Sequence, residues 1–148
     1  MLLLQCYVGD HRFVLDGDWV IEVVPWIHLK PLPHSPPYLI GLMNFNNEPV
    51  PVIDFCQIVA ERACVNSLHT RIVLLKNPKK EGPSSHLFGL LAEKITETVD
   101  LEKSVFLDSG IKIAHLPFYG GIMTEGELSI QWVNLEELSH YLQGQVFK

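Results

Sequence analysis

The stretch that decides the fold is Pro36 to Phe55, PPYLIGLMNFNNEPVPVIDF. Tyr38 to Phe45 is almost continuously apolar, as expected of a strand buried on both faces or bent across a core. Asn46-Asn47 follows, and asparagine tolerates the left-handed backbone that two-residue hairpin turns need. Asn-Asn is a weaker turn signal than Asn-Gly, so the turn type stays open. In the return strand, Pro49 to Asp54, the two prolines are two residues apart, so both missing N–H donors fall on one edge. No partner strand pairs well there, which predicts a sheet edge or barrel corner for Pro49 to Asp54. Val50 and Val52 keep their donors for the other edge, where the first strand can sit.

Working toward the N-terminus, the run PLPHSPP at 31–37 predicts an extended, ordered connector rather than a helix. Upstream, WVIEVVP at 19–25 reads as a strand whose lone carboxylate, Glu22, is either at the surface or paired. Residues 2–8 and 11–15 read as an antiparallel pair joined at Gly9-Asp10. Toward the C-terminus, Asp54 is placed to cap a short helix with Phe55, Ile58 and Val59 on one face. TRIVLLK at 70–76 is a strand by its β-branched and apolar content, and NPKKEGPSSH at 77–86 is a turn-rich hydrophilic loop. Residues 87–92 and 94–99 give two strands or one bent strand. Further strands are expected at 111–116, 121–124 and 128–133. Asn134 is placed to cap a final helix over 135–142, with Leu135, Leu138 and Leu142 on one face. Roughly nine short strands with one or two helices predict an all-β, barrel-like protein with a C-terminal helix.

Composition narrows the function. The chain has 148 residues, 47% of them hydrophobic, and a formal net charge of −6. A folded chain is expected, and nucleic acid is an unsuitable partner because phosphate contact needs clustered Lys and Arg. The first ten residues lack the basic start and long apolar run of a secretory signal, and no stretch approaches the apolar length of a membrane span. Cys6, Cys56 and Cys64 are odd in number and lack paired metal spacing. They are expected to be reduced cytosolic thiols, with Cys56 and Cys64 as small buried apolar groups.

Candidate chemistry is sparse. Asp108-Ser109-Gly110 after Phe106-Leu107 is similar to the active-site loop of small dimeric aspartic proteases. No Gly-Arg-Asp-like segment follows it, and Asp-Ser-Gly is also an ordinary turn, which is the expected reading. The seven histidines show neither helical nor loop spacing of a zinc site. Neither a phosphate-cradling glycine loop nor a serine nucleophile elbow is present. No catalytic residue, metal or cofactor is expected. A surplus of apolar residues over one modest core would point to partner binding, and a small-ligand-sensing β-domain is a further reading.

The order of signals resembles the CheW-like domains of chemotaxis coupling proteins. The resemblance rests on Phe13-Val14-Leu15, VIEVV at 20–24, PLPHSPPYLIG at 31–41, Asn44-Phe45 and VPVIDF at 50–55. It continues more loosely through residues 70–73, 87–91 and 133–138. It implies a single domain over 1–148 made of two intertwined five-stranded SH3-like β-barrels. It further implies a non-enzymatic, cytoplasmic adaptor without direct membrane insertion. The implied partners are the regulatory domain of a CheA-type histidine kinase and the cytoplasmic hairpin tip of a chemoreceptor. By motif match, Val20, Glu22, Asn44 and Asn46 lie near the receptor-side groove, while Gly41, Pro51 and Asp54 are structural. The chain departs from the family where Asn46-Asn47 stands for the usual Arg-Gly. Asn46 has the groups to hydrogen-bond Glu22, but not the permanently charged fork of arginine.

Overall fold

In the computed structural model, residues 1–80, 87–108, 110 and 116–143 are described. The strand expected at 111–116 and the second half of the 77–86 loop therefore lie outside the described residues, except for Leu116.

The chain starts in one sheet, builds a second, and returns to finish the first. Strands β1 (Leu2–Val8) and β2 (His11–Asp16) open the first sheet. Strands β3 (Val20–Pro25), β4 (Leu39–Phe45) and β5 (Glu48–Asp54) follow, then helix α1 (Phe55–Ala60), β6 (Arg71–Leu75) and β7 (Phe88–Ala92). The return consists of β8 (Lys94–Asp100), β9 (Tyr119–Glu125), β10 (Leu128–Val133) and helix α2 (Leu135–Gln143). The first sheet has the order β8-β1-β2-β10-β9 and the second β3-β6-β7-β5-β4. This is the two-sheet SH3-like architecture the sequence implied. Among the described residues, neither sheet is closed by a ladder between its outer strands. Among the described residues, an isolated bridge ties Lys30 of the 26–38 connector to Leu42 on β4, and another ties Leu107 to Ile122 on β9.

The decisive hairpin forms as read. Leu42 lies opposite Pro51, and Met43 opposite Val50. Asn46 and Asn47 both have positive φ, 50° and 66°, the pattern of a type I′ turn, whose twist matches the flanking strands. Gly41, with φ 153°, is where the connector crosses the strand. A Cβ there would meet the Lys30 carbonyl oxygen at 2.7 Å.

The edge assignment for Pro49 to Asp54 is corrected, because β5 lies inside the sheet between β7 and β4, and β4 is the outer strand. The prolines still limit pairing locally. The parallel ladder to β7 uses only Val52, Ile53 and Asp54, beyond both prolines. The strand expected from Trp19 begins instead at Val20. Gly17–Trp19 forms a 3-10 turn in which Trp19 is buried and its carbonyl accepts the Lys76 N–H at 2.9 Å.

One core serves both sheets. From β1 and β2 it takes Leu4, Cys6, Val8, Phe13 and Leu15, and from the second sheet Val52, Ile53, Ile72, Leu74, Leu90 and Leu91. The opposite face of the first sheet holds a separate small cluster of Leu3, Val14 and Ile130. Burying each such side chain contributes about 1.5–3 kcal/mol, so the shared core dominates the energetics.

Candidate functional site

Two features stand out: a groove where the chain first passes between sheets, and a polar junction where it passes back. The groove, about 500 Å³, is lined by Met1, Leu2, Leu4, Gly17, Asp18, Val20 and Thr98. Leu2 is 57% exposed, and Ile21 and Val23 on the adjoining β3 are also exposed. Among the described residues, strand β3 has β6 as its one ladder neighbour, so Val20 places the groove beside a sheet edge. A mainly apolar trough at a strand edge offers contact area and backbone hydrogen bonds to a partner.

The sequence-derived site residues fall into two places. Val20 lines the groove, and Glu22 follows it on β3, exposed. Asn44 and Asn46 are exposed on the β4–β5 hairpin, Asn46 in its turn. Among the described residues, Asn46 and Glu22 make no hydrogen bond with each other. Glu22 stands on β3 and Asn46 on the hairpin of β4, at opposite ends of the strand order. Pro51 faces Leu42 across the hairpin. Asp108 is exposed, and its Oδ1 accepts the Gly110 N–H at 2.9 Å. That is turn chemistry, the ordinary reading of the Asp-Ser-Gly stretch.

At the return crossing, Glu93 is the one residue between β7 and β8. Its carboxylate accepts two hydrogen bonds from Arg62, each 2.8 Å, and the N–H groups of Gly9 and Val65, each 2.7 Å. The forked Arg62 pairing holds the Glu93 carboxyl down to about 2, against the opposing pull of burial. Gly9 belongs to the β1–β2 turn, and Arg62 and Val65 to the segment after α1, so one side chain ties the two sheets. Nothing in the sequence marked it, since a lone glutamate between strands looks like any surface acid.

Asp54 anchors the same segment from the other side. Oδ1 caps α1 through the N–H groups of Cys56 (2.9 Å) and Gln57 (3.4 Å). Oδ2 accepts the Cys64 N–H at 3.0 Å. Burial raises the Asp54 carboxyl above its ordinary value, and these three N–H bonds work against that rise.

The expectation of separate reduced thiols at Cys56 and Cys64 is corrected: the two form a disulfide, with Cα atoms 5.3 Å apart. Glu61 ends α1 in the left-handed conformation, φ 53°, and the chain returns so that Cys64 lies beside Cys56. Cys6 is free and buried, which pushes its thiol up to about 12. Asp54, Cys56 and Cys64 form the one cluster among the described residues with metal-ligand atoms close together. Both Asp54 oxygens already serve N–H donors.

Comparison with known proteins fits this geometry. The family model for the CheW-like domain matches residues 2–143. The chain belongs to the CheW-like family. It is similar to the chemotaxis protein CheW of Rhizobium meliloti (strain 1021), 25% identical over 95 residues, or 64% of this chain. It is also similar to the probable chemotaxis protein CheW of Rhizobium etli, 21% identical over 103 residues, or 70% of this chain. The matched regions span 57% and 63% of those relatives' lengths. Among solved structures, the scaffolding protein TtCheW from Thermoanaerobacter tengcongensis has the same fold, with a TM-score of 0.73 at 19% identity. That match covers 90% of this chain and 84% of TtCheW. Among the described residues, no helix is long and apolar enough to cross a membrane.

Proposed function

We propose that this chain is a non-enzymatic chemosensory adaptor that works in the cytoplasm. In this reading it couples the hairpin tip of a chemoreceptor to the regulatory domain of a CheA-type histidine kinase. The observation that carries the reading is the apolar groove at Val20, open beside the β3 edge, in a chain of CheW-like family and fold. A mainly apolar trough of this kind favours docking, with Asp18 and Thr98 as the polar members of its lining.

Receptor contact is assigned to Val20 and Glu22, with Asn44 and Asn46 as a second, polar contact on the hairpin. Asn46-Asn47 in place of Arg-Gly removes a permanent positive charge from this contact and leaves it neutral hydrogen-bonding groups. Single contacts of this size are weak. Array assembly would multiply them through high effective concentration, and signalling would be a shift in how the docked partners sit.

The test is co-purification with an isolated kinase regulatory domain and, separately, with a receptor hairpin fragment. Wild type is expected to retain both, and Val20→Asp to lose at least one while keeping a wild-type circular dichroism spectrum. Equal recovery of both partners by wild type and Val20→Asp would remove the groove from the mechanism.

A further inference from the structure

The docking reading leaves Cys56 and Cys64 unused, yet they sit where the segment 61–69 is fastened to the body of the protein. That segment runs from the end of α1 toward β6 as a strap, and Cys64 is its one buried residue, 6% exposed. The strap's other fastenings are non-covalent. Asp54 holds the Cys64 N–H, and Glu93 holds Arg62 and the Val65 N–H. The Thr70 hydroxyl donates to the Val65 carbonyl at 2.6 Å and accepts the Ser67 N–H at 3.1 Å. Two residues on the strap, Val65 and Leu68, are 61% and 86% exposed.

We propose that Cys56 and Cys64 form a reversible thiol–disulfide couple that sets how firmly this strap is held across the junction of the two sheets. The separation of the Cα atoms, 5.3 Å, lies within the range a disulfide spans without backbone movement. Both the bonded and the unbonded pair therefore fit one backbone, which a switch needs. The third cysteine, Cys6, is free, so the other two have each other as partners. In a reducing compartment, disulfides are chiefly transient or redox-sensing.

The exchange balances with a small dithiol as reductant and a low-molecular-weight aliphatic disulfide as oxidant. In the reducing direction, a thiolate of the dithiol attacks the Cys64 sulfur, whose chain neighbours are exposed. The protein S–S bond breaks, and Cys56 leaves as a thiolate that takes up a proton. The second thiol of the reductant then displaces Cys64, closes the reductant's own disulfide and passes its proton to the Cys64 sulfur. Two electrons and two protons reach the protein. In the oxidising direction the Cys64 thiolate attacks the small disulfide and releases one small thiol, and the Cys56 thiolate then displaces the second from the mixed disulfide, closing the protein S–S bond. Sulfurs and carboxylate oxygen lie within 4.8 Å of one another. The Asp54 carboxylate therefore disfavours both thiolates and makes exchange slow. With the bond open, hydrogen bonds and the Arg62–Glu93 ion pair hold the strap, and Val65 and Leu68 move on a looser tether.

The test uses the full chain equilibrated in glutathione buffers from fully reduced to fully oxidised, quenched in acid and alkylated in denaturant for mass spectrometry. Three alkylated cysteines are expected at the reducing end and Cys6 alone at the oxidising end, with a reversible midpoint between. Hydrogen–deuterium exchange is expected to be roughly tenfold faster, or more, at the Cys64 and Val65 amides of the reduced protein. Exchange in β6 and β7 should stay unchanged. Cys64→Ser should exchange like reduced wild type in every buffer. Three alkylated cysteines at the oxidising end, or a disulfide that persists at the reducing end, would overturn the proposal. So would identical strap exchange in the two states, or uptake of one equivalent of Zn²⁺ by the reduced protein.

Discussion

The two sheets are the same construction with different interiors. In each, a first strand (β3 or β8) is followed by a hairpin (β4–β5 or β9–β10) and a helix (α1 or α2). The hairpin's second strand then runs parallel to the last strand of an antiparallel pair, β5 against β7 and β10 against β2. Each helix is capped by the residue that ends the preceding strand or follows it, Asp54 or Asn134. The interiors diverge. All five residues of β7 are buried, and β6 is buried after Arg71. On the far face of the first sheet, only Leu3, Val14 and Ile130 form a buried apolar cluster. The same face carries Gln5, hydrogen-bonded to Arg12 and to the Glu97 carbonyl, and Trp132, whose Nε1–H donates to Asp16 at 2.8 Å. One topology thus tolerates an apolar interior and a polar-laced one, provided both sheets share the core between them. The second sheet is the anchor, and the first has freedom at its surface.

Cavity-forming substitutions should break this comparison most visibly. Leu90→Ala, at a fully buried position of β7, is expected to cost about 3–5 kcal/mol. Ile130→Val in the small cluster should cost about 1 kcal/mol, both read from urea midpoints at constant slope. The caps give the next contrast. Asp54→Ala removes the acceptor of three N–H groups, two of them buried bonds, and should cost about 2–4 kcal/mol. Asn134→Ala removes one exposed bond to the Glu137 N–H and should cost about 1 kcal/mol.

The Glu93 junction predicts a pH dependence. Its folded pKa lies below the unfolded value, so its stabilisation is complete above about pH 5 and is lost as pH falls toward about 2. Because Arg62 is 43% exposed, solvent screening limits the effect to about 1–2 kcal/mol. Thermal unfolding from pH 7 to pH 3 should show this loss in wild type, and a shallower slope in Glu93→Gln. The smallest effect is expected at the hairpin turn. Asn47 has φ 66°, and Asn47→Gly should raise stability by about 0.5 kcal/mol in the same urea assay.

Much of this was legible in the sequence because local chemistry fixed it. Asn46-Asn47 between apolar runs made the hairpin, and Asp54 before Phe55 made the cap. The proline run kept 31–37 out of helix. What the sequence hid depends on segments meeting across the chain. Cys56 and Cys64 pair because Glu61 turns the chain back in a left-handed conformation, which glutamate does not advertise. Glu93 joins Gly9 and Arg62, 84 and 31 residues away, and no spacing rule reaches so far. The proline edge of β5 was read correctly as unpaired, but β7 joins that strand just beyond it. For the candidate site, the sequence named residues through a family resemblance and said nothing of how they group in space. Val20 and Glu22 share a strand, and Asn44 and Asn46 sit apart on the hairpin.

The central claim is that this chain works by docking through the groove beside β3. The most direct measurement is hydrogen–deuterium exchange of the chain with and without a receptor hairpin fragment and a kinase regulatory domain, each at saturation. The account predicts protection of β1 and β3 around Leu2, Leu4 and Val20 by at least one partner. Protection confined to α2 and β10, with exchange at β1 and β3 unchanged, would contradict it.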